Sequence, residues 1–108
     1  MALKSWGIAD FEGAVTDTPV EKTVLEASGV TITTLSLIIS NYHATDEAEV
    51  IVTRTDSADV MKFKWGLTLA AADSPFALDS VMVYEGGDKL KVESNNPDVS
   101  VDVSGEEK

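Results

Sequence analysis

Residues 30–41, VTITTLSLIISN, form the longest run of β-branched and aliphatic residues in the chain. The side chains of a β-strand alternate between its two faces, so buried positions recur with a period of two. The apolar positions change phase within this run, from Val30 and Ile32 to Leu35, Leu37 and Ile39. The change, near Thr33 and Thr34, predicts a long strand that either contains a β-bulge or passes from one sheet to another.

Shorter alternating segments lie on both sides of this strand, separated by turn residues. They cover residues 21–27, 48–55, 60–69, 76–80, 81–84, 89–94 and 99–104. No window shows a helical period over the length that a stable helix needs. About eight strands at this spacing are typical of an all-β domain, and we predict an antiparallel two-sheet β-sandwich, immunoglobulin-like or jelly-roll-like.

The alternation also predicts which side chains fill the space between the two sheets. The predicted core residues are Leu35, Leu37, Ile39, Val50, Val52, Phe63, Trp65, Leu90, Val92, Val101 and Val103. Phe63 and Trp65 share one strand parity, which favours core packing over an exposed platform for a ligand.

Residues 84–92, YEGGDKLKV, contain a glycine pair that either holds a phosphate or reverses the chain. A phosphate-binding loop is followed by a helix, whereas an alternating strand follows here. We therefore predict that Gly86 and Gly87 form the turn of a β-hairpin.

The chain divides into an N-terminal arm (residues 1–19), a sandwich domain (residues 20–104) and a frayed C-terminal tail (residues 105–108). The arm carries four large apolar residues, Leu3, Trp6, Ile8 and Phe11. Either the arm adds an edge strand to its own sandwich or it packs on another chain. These residues would promote aggregation if they were exposed to water. We therefore expect them to form an interface with an adjacent subunit or another protein, in which Trp6 contributes most to binding.

The chain is strongly acidic, with 8 basic and 19 acidic residues and a net charge of −11. Nucleic acids and anionic membranes bind clustered lysine and arginine, so we expect neither as a partner. The N-terminus has no basic segment followed by a long apolar run, so no export signal is predicted. There are no cysteines, which excludes disulfides and thiolate metal sites.

His43 is the only histidine, and it lies in a polar loop without a nucleophile motif such as G-x-S-x-G. The carboxylates of the loops do not follow the spacing of a calcium-binding loop. We therefore expect no enzymatic activity and no catalytic, metal-binding or cofactor-binding residues.

Two motifs resemble those of small virion proteins of tailed bacteriophages, the capsid decoration or cement type. The first, T-x-x-x-L-x-L-x-x-x-N, is matched by Thr31, Leu35, Leu37 and Asn41. The second, G-D-x-L-x-V, is matched by Gly87, Asp88, Leu90 and Val92. The resemblance covers roughly residues 20–104, although Glu26–Gly29 differs from the P-A-G-K turn that often precedes the long strand in that class.

The resemblance implies a non-enzymatic structural protein on the exterior of a phage capsid, assembled in the host cytoplasm. Its expected partners are the major capsid protein and further copies of itself, with a homotrimer as the first expectation. Two alternatives stay open. One is a sandwich module of a phage tail, neck or fibre, and the other is a carbohydrate-binding or adhesive β-sandwich.

Overall fold

The computed structural model describes residues 2–16, 18–72 and 75–108. Nine β-strands and no helix occur within those residues. They are β1 (Ala2–Ile8), β2 (Val20–Glu26), β3 (Ile32–Asn41), β4 (Ala48–Thr55), β5 (Met61–Leu69), β6 (Phe76–Leu78), β7 (Met82–Tyr84), β8 (Lys89–Ser94) and β9 (Val99–Glu107).

The strands form two antiparallel sheets. Sheet A has the order β1-β9-β3-β6, and β7 pairs with β3 beside β6, whereas sheet B has the order β2-β8-β4-β5. The alternating apolar residues of both sheets face each other and form one core. The predicted two-sheet β-sandwich is confirmed.

The phase change in β3 is a β-bulge. Ile32 and Thr34 point inward before the bulge, and Leu37 and Ile39 point inward after it. The register with β9 shifts between Thr34 and Ser36, which leaves Leu35 as the extra residue. An extra residue reverses the parity of every position that follows it.

Two of the predicted core residues, Leu35 and Phe63, are exposed, and the reason differs between them. Leu35 is 43% exposed because it is the bulge residue, and Phe63 is 40% exposed because β5 is an edge strand. Trp65, on the same strand, is partly buried against the core. The remaining predictions are confirmed, and the buried residues are Leu37, Ile39, Val50, Val52, Leu90, Val92, Val101 and Val103.

The glycine pair forms a turn, but the two strands beside it do not pair with each other. β7 belongs to sheet A and β8 to sheet B, so the turn carries the chain from one sheet to the other, and the predicted hairpin is wrong. Gly86 and Gly87 have φ angles of 65° and 91°, a region that favours glycine. A side chain at Gly87 would also be strained, since its Cβ would lie 2.7 Å from the Cβ of Ser57.

The C-terminal residues continue β9 instead of fraying. Residues 105–107 pair with both β1 and β3. Beyond them the backbone N–H of Lys108 donates to the carbonyl oxygen of Thr31 at 2.9 Å. The predicted frayed tail, residues 105–108, is thus an integral part of sheet A.

Candidate interaction surfaces

The N-terminal arm begins with an edge strand of the chain's own sandwich. β1 pairs with β9 along its whole length, from Ala2 opposite Glu107 to Ile8 opposite Val101. The side chains of Trp6 and Ile8 point inward and pack partly buried against the core. Leu3 points outward and is 80% exposed, which leaves it available to another molecule.

Phe11, the last apolar residue of the arm, is fully buried in the chain's own core. Its backbone N–H donates to the carbonyl oxygen of Pro97 at 2.9 Å. The ammonium nitrogen of Lys22, on β2, lies 5.9 Å from the Phe11 ring centroid and also donates to the carbonyl oxygen of Asp10. Of the four predicted interface residues, Phe11 therefore has no surface to offer to a partner.

The outer face of sheet A carries several exposed apolar side chains. Besides Leu3, these are Leu35 and Ile38 on β3 and Val83 on β7. Between β3 and β9 the hydroxyls of Ser36 and Ser104 are hydrogen-bonded to each other at 2.5 Å. Asp102 and Glu106 of β9 lie on the same face, opposite Ile38 and Leu3. A sheet face on which exposed apolar side chains lie among polar ones is suited to contact with another protein.

Three aromatic residues on the edge strands β5 and β6 pack on each other. The Trp65 ring centroid lies 6.0 Å from that of Phe63 and 5.6 Å from that of Phe76, with interplanar angles of 51° and 52°. Such tilted rings favour mutual packing over a coplanar surface for a sugar. A cavity of about 30 Å³ beside Trp65, Met82 and Tyr84 has room for about one water molecule.

A charged cluster closes one end of the sandwich. One Arg54 Nη donates to the Asp88 carboxylate at 2.9 Å and to the carbonyl oxygen of Val83 at 2.5 Å. The Arg54 guanidinium carbon lies 4.4 Å from the Tyr84 ring centroid, a cation–π geometry. Burial raises the pKa of the Tyr84 hydroxyl above its usual value. The cluster joins β4 of sheet B to β7 of sheet A and is structural in character.

His43 organises the loop in which it lies. Its Nδ1 accepts hydrogen bonds from the backbone N–H groups of Thr45, at 3.2 Å, and Asp46, at 3.0 Å. The neighbouring Asn41 side chain, buried at the end of β3, donates to the carbonyl oxygens of Asp46, Leu69 and Ala70. These contacts give His43 and Asn41 a role in the geometry of the β3–β4 loop.

The charge of the molecule is unevenly distributed between strands and connections. The nine strands carry seven acidic and seven basic residues, so their charges balance. Among the described residues, ten more acidic residues lie in the segments that connect the strands. The negative charge is therefore concentrated in the connections, and the strands as a set are close to neutral.

Within residues 2–16, 18–72 and 75–108, no three histidine or carboxylate side chains come together as a metal site. None of the described residues belongs to a helix with the length and hydropathy to span a bilayer. No protein-family model, curated protein or solved structure matches the chain.

Proposed function

We propose that the chain is a non-enzymatic structural protein of a tailed bacteriophage particle that binds the exterior of the head. Its partner in this role is the major capsid protein, and it stabilises the shell because it binds the assembled state in preference to free subunits. The proposal rests on the resemblance of residues 20–104 to virion proteins and on one surface of the sandwich.

The observation that carries the proposal is the outer face of sheet A. Leu3 is the most exposed large apolar side chain among the described residues, at 80%, and Leu35 and Ile38 lie on the same face. Several exposed apolar side chains on one sheet face mark a surface for protein contact. The arm residue Leu3 thus supports the predicted interface, with Trp6 and Ile8 holding its strand in place from the opposite face of β1.

The positions of the family-like motifs fit a role in the fold. Leu37, Leu90 and Val92 are core residues, and Asn41 ties the end of β3 to two neighbouring segments. Gly87 and Asp88 form the crossing between the sheets. The motif residues therefore support a sandwich architecture like that of the virion proteins. The proposed contact with the capsid is supported by the exposed residues of the outer face of sheet A.

The charge distribution supports an exterior location. Acidic connections at the ends of the sandwich would repel packaged DNA, whereas they would keep an exposed protein solvated. The carbohydrate-binding alternative gains no support from the aromatic residues, because the Trp65 ring is tilted against its neighbours.

The test uses virions of the phage whose genome encodes the chain. We expect mass spectrometry to detect the chain in purified particles, and antibody or mild protease added to intact particles to reach it. Electron microscopy with a gold-labelled antibody would then distinguish the head from the tail. Absence of the chain from purified virions, or protection from both reagents, would contradict the proposal.

A matched pair of variants tests the docking face. Leu3→Asp places a charge on the outer face of β1, where the side chain has no role in the core, so the variant should fold but fail to be incorporated. Val15→Asp introduces the same charge at a site that is 42% exposed in the β1–β2 connection and should be incorporated normally. Equal incorporation of the two variants would show that this face does not bind the capsid.

A further inference from the structure

The outer edge of β5 is the longest open strand edge of the sandwich. Sheet A ends at the seven-residue β1 and at the three-residue strands β6 and β7. Sheet B ends at the seven-residue β2 and the nine-residue β5, each of which contains a bulge. Within the described residues, β5 pairs only with β4. An open edge presents unpaired N–H and C=O groups to any extended strand that fits it.

Exposed apolar side chains are concentrated around this edge. Val60, Met61 and Phe63 are exposed on or beside β5, and Val81 and Val83 are exposed on the neighbouring edge of sheet A. On the opposite side of the sandwich, beside β2, the buried ring of Phe11 contributes to the core. The side of the sandwich that contains β5 is therefore the more favourable for burial against a further strand.

The sequence of β5 is compatible with antiparallel pairing to a second copy of itself. The register with β4 shifts between Arg54 and Thr55, which leaves Lys62 as an extra residue and Phe63–Leu69 as the regular part of the strand. The midpoint of that part is Gly66. A two-fold axis through Gly66 places Trp65 opposite Leu67 of the second copy and Lys64 opposite Thr68 of the second copy.

This register separates the lysines. The two Lys64 residues are four positions apart along the pair, roughly 14 Å at the usual rise of a strand, so their repulsion is largely screened at physiological salt. A parallel, in-register pair would instead place them side by side. A lysine on an edge strand commonly prevents pairing, but here the uncharged half of the partner strand receives it.

Lys64 also meets a carboxylate in this arrangement. Thr68 pairs with Glu49 of β4, so Lys64 of one copy lies two strands away from Glu49 of the other, roughly 10 Å between Cα atoms. Extended lysine and glutamate side chains on one sheet face span that distance. Neither Lys64 nor Glu49 has an ion pair among the described residues.

We propose that two copies of the chain associate through β5, which merges their B sheets into one eight-stranded sheet with Lys64 of each copy paired to Glu49 of the other. The contact is symmetric and closed, so it yields a dimer and not a fibre. The two-fold axis is perpendicular to the merged sheet, so the β6–β7 edges of the two copies also approach each other. The proposal depends on the β5 edge alone and not on binding to a capsid.

The experiment measures the mass of the full chain by sedimentation equilibrium over roughly 1–100 μM. We expect twice the monomer mass at the upper end. Lys64→Glu and Glu49→Lys should each raise the dissociation constant on the order of tenfold, because each turns two attractive contacts per dimer into repulsive ones. The double variant, which has the wild-type net charge, should recover the wild-type dissociation constant.

The control is Glu21→Lys, which makes the same charge change as Glu49→Lys on β2, at the opposite edge of sheet B, and should leave the dimer unchanged. A wild-type chain that stays monomeric over the whole range would overturn the proposal. A dimer or trimer that is insensitive to both single substitutions, or not restored in the double variant, would overturn it as well.

Discussion

At the scale of single residues, the connections between strands are held by side chains that satisfy backbone groups. Asp56 accepts hydrogen bonds at one carboxylate oxygen from the N–H groups of Ala58, at 2.9 Å, and Val60, at 3.0 Å. The turn that Asp56 begins positions Asp59, whose carboxylate accepts from Lys89 and Lys91 of β8. Two acidic residues thus fix the β4–β5 connection against sheet B.

These contacts predict a loss of stability in acid. The pKa of Asp56 lies below its usual value, chiefly because the Val60 N–H donates to the carboxylate, and the pKa of Asp59 is lowered chiefly by the Lys89 hydrogen bond. An acid with a lowered pKa binds fewer protons in the folded state, so its contribution is present above about pH 4 and disappears as the pH falls further. Asp56→Asn keeps an acceptor oxygen but removes the titration.

The measurement is urea unfolding of wild type and Asp56→Asn between pH 6 and pH 2. We expect the free energy of unfolding to fall less steeply below about pH 4 in the variant than in wild type. Asp79→Asn, at an exposed site in the β6–β7 connection, is the control and should follow the wild-type curve. Equal slopes for wild type and Asp56→Asn would rule out this role for Asp56.

At the scale of strands, the bulge in β3 decides which leucine supports the fold. Leu35 and Leu37 have the same side chain and lie two residues apart, but Leu35 is 43% exposed and Leu37 is 8% exposed. We expect Leu37→Ala to lower the free energy of unfolding by about 2–5 kcal/mol, because it removes buried methyl groups and leaves a cavity. Leu35→Ala should cost only about 0.5 kcal/mol, as is usual at the surface.

Urea unfolding of the two variants compares the same substitution at the bulge residue and two residues beyond it. A bulge at Thr33 or Thr34, as the sequence predicted, would bury both leucines and make their costs similar. Similar losses for the two variants would therefore mean that the bulge lies before Leu35, in conflict with the structure.

The bulge also requires a glycine on the neighbouring strand. Gly105 of β9 lies opposite Thr34, and a Cβ at Gly105 would clash with the carbonyl oxygen of Thr33 and lie 2.9 Å from the Cα of Thr34. We expect Gly105→Ala to lower the free energy of unfolding by about 1–3 kcal/mol, because backbone atoms would have to move.

Gly66→Ala provides the comparison, since a Cβ there would lie 3.7 Å from the nearest atom, the carbonyl oxygen of Val50. That variant should be as stable as wild type or more stable by up to about 1 kcal/mol. Chemical denaturation of both variants is the measurement. A neutral Gly105→Ala variant would show that residues 105–108 are a dispensable tail.

At the scale of the whole molecule, the arm is part of the sandwich and also the source of its most exposed apolar residue. β1 extends sheet A, Phe11 fills the core, and Leu3 faces solvent. The strands together carry no net charge, whereas the connections at the two ends of the sandwich are acidic. Association with another molecule is therefore more favourable through the sheet faces and strand edges than through the ends. Contacts through the ends would bring like charges together.

Removal of residues 2–12 tests whether the arm is integral to the fold. The deletion takes away the ladder to β9 and the buried Phe11 ring, and loss of a buried phenylalanine side chain alone costs about 3–5 kcal/mol. We expect the thermal midpoint of the isolated chain to fall by on the order of 15 °C or more. Leu3→Asp, the control within the same segment, should leave it nearly unchanged, and an unchanged midpoint in the deletion would mean that the arm is a separate appendage.

The strands and most of the core could be predicted from the sequence because alternation is a local property. Val50, Val52, Leu90, Val92, Val101 and Val103 point inward wherever their strands are placed, since each strand has one apolar face. The bulge in β3 was also visible as a break in the alternation. Its position at Leu35 was not, because the extra residue is defined by the register with β9.

Only the tertiary structure decided which strands lie at the edges and what covers them. Phe63 alternates like a core residue, yet it is exposed because no strand follows β5 in sheet B. Phe11 has no periodic context, yet it is buried because residues distant in sequence surround it. The glycine turn crosses between sheets, and not within one, because β7 pairs with β3 and β8 with β4 and β2. Burial at an edge and pairing between strands depend on long-range neighbours, which a local pattern does not contain.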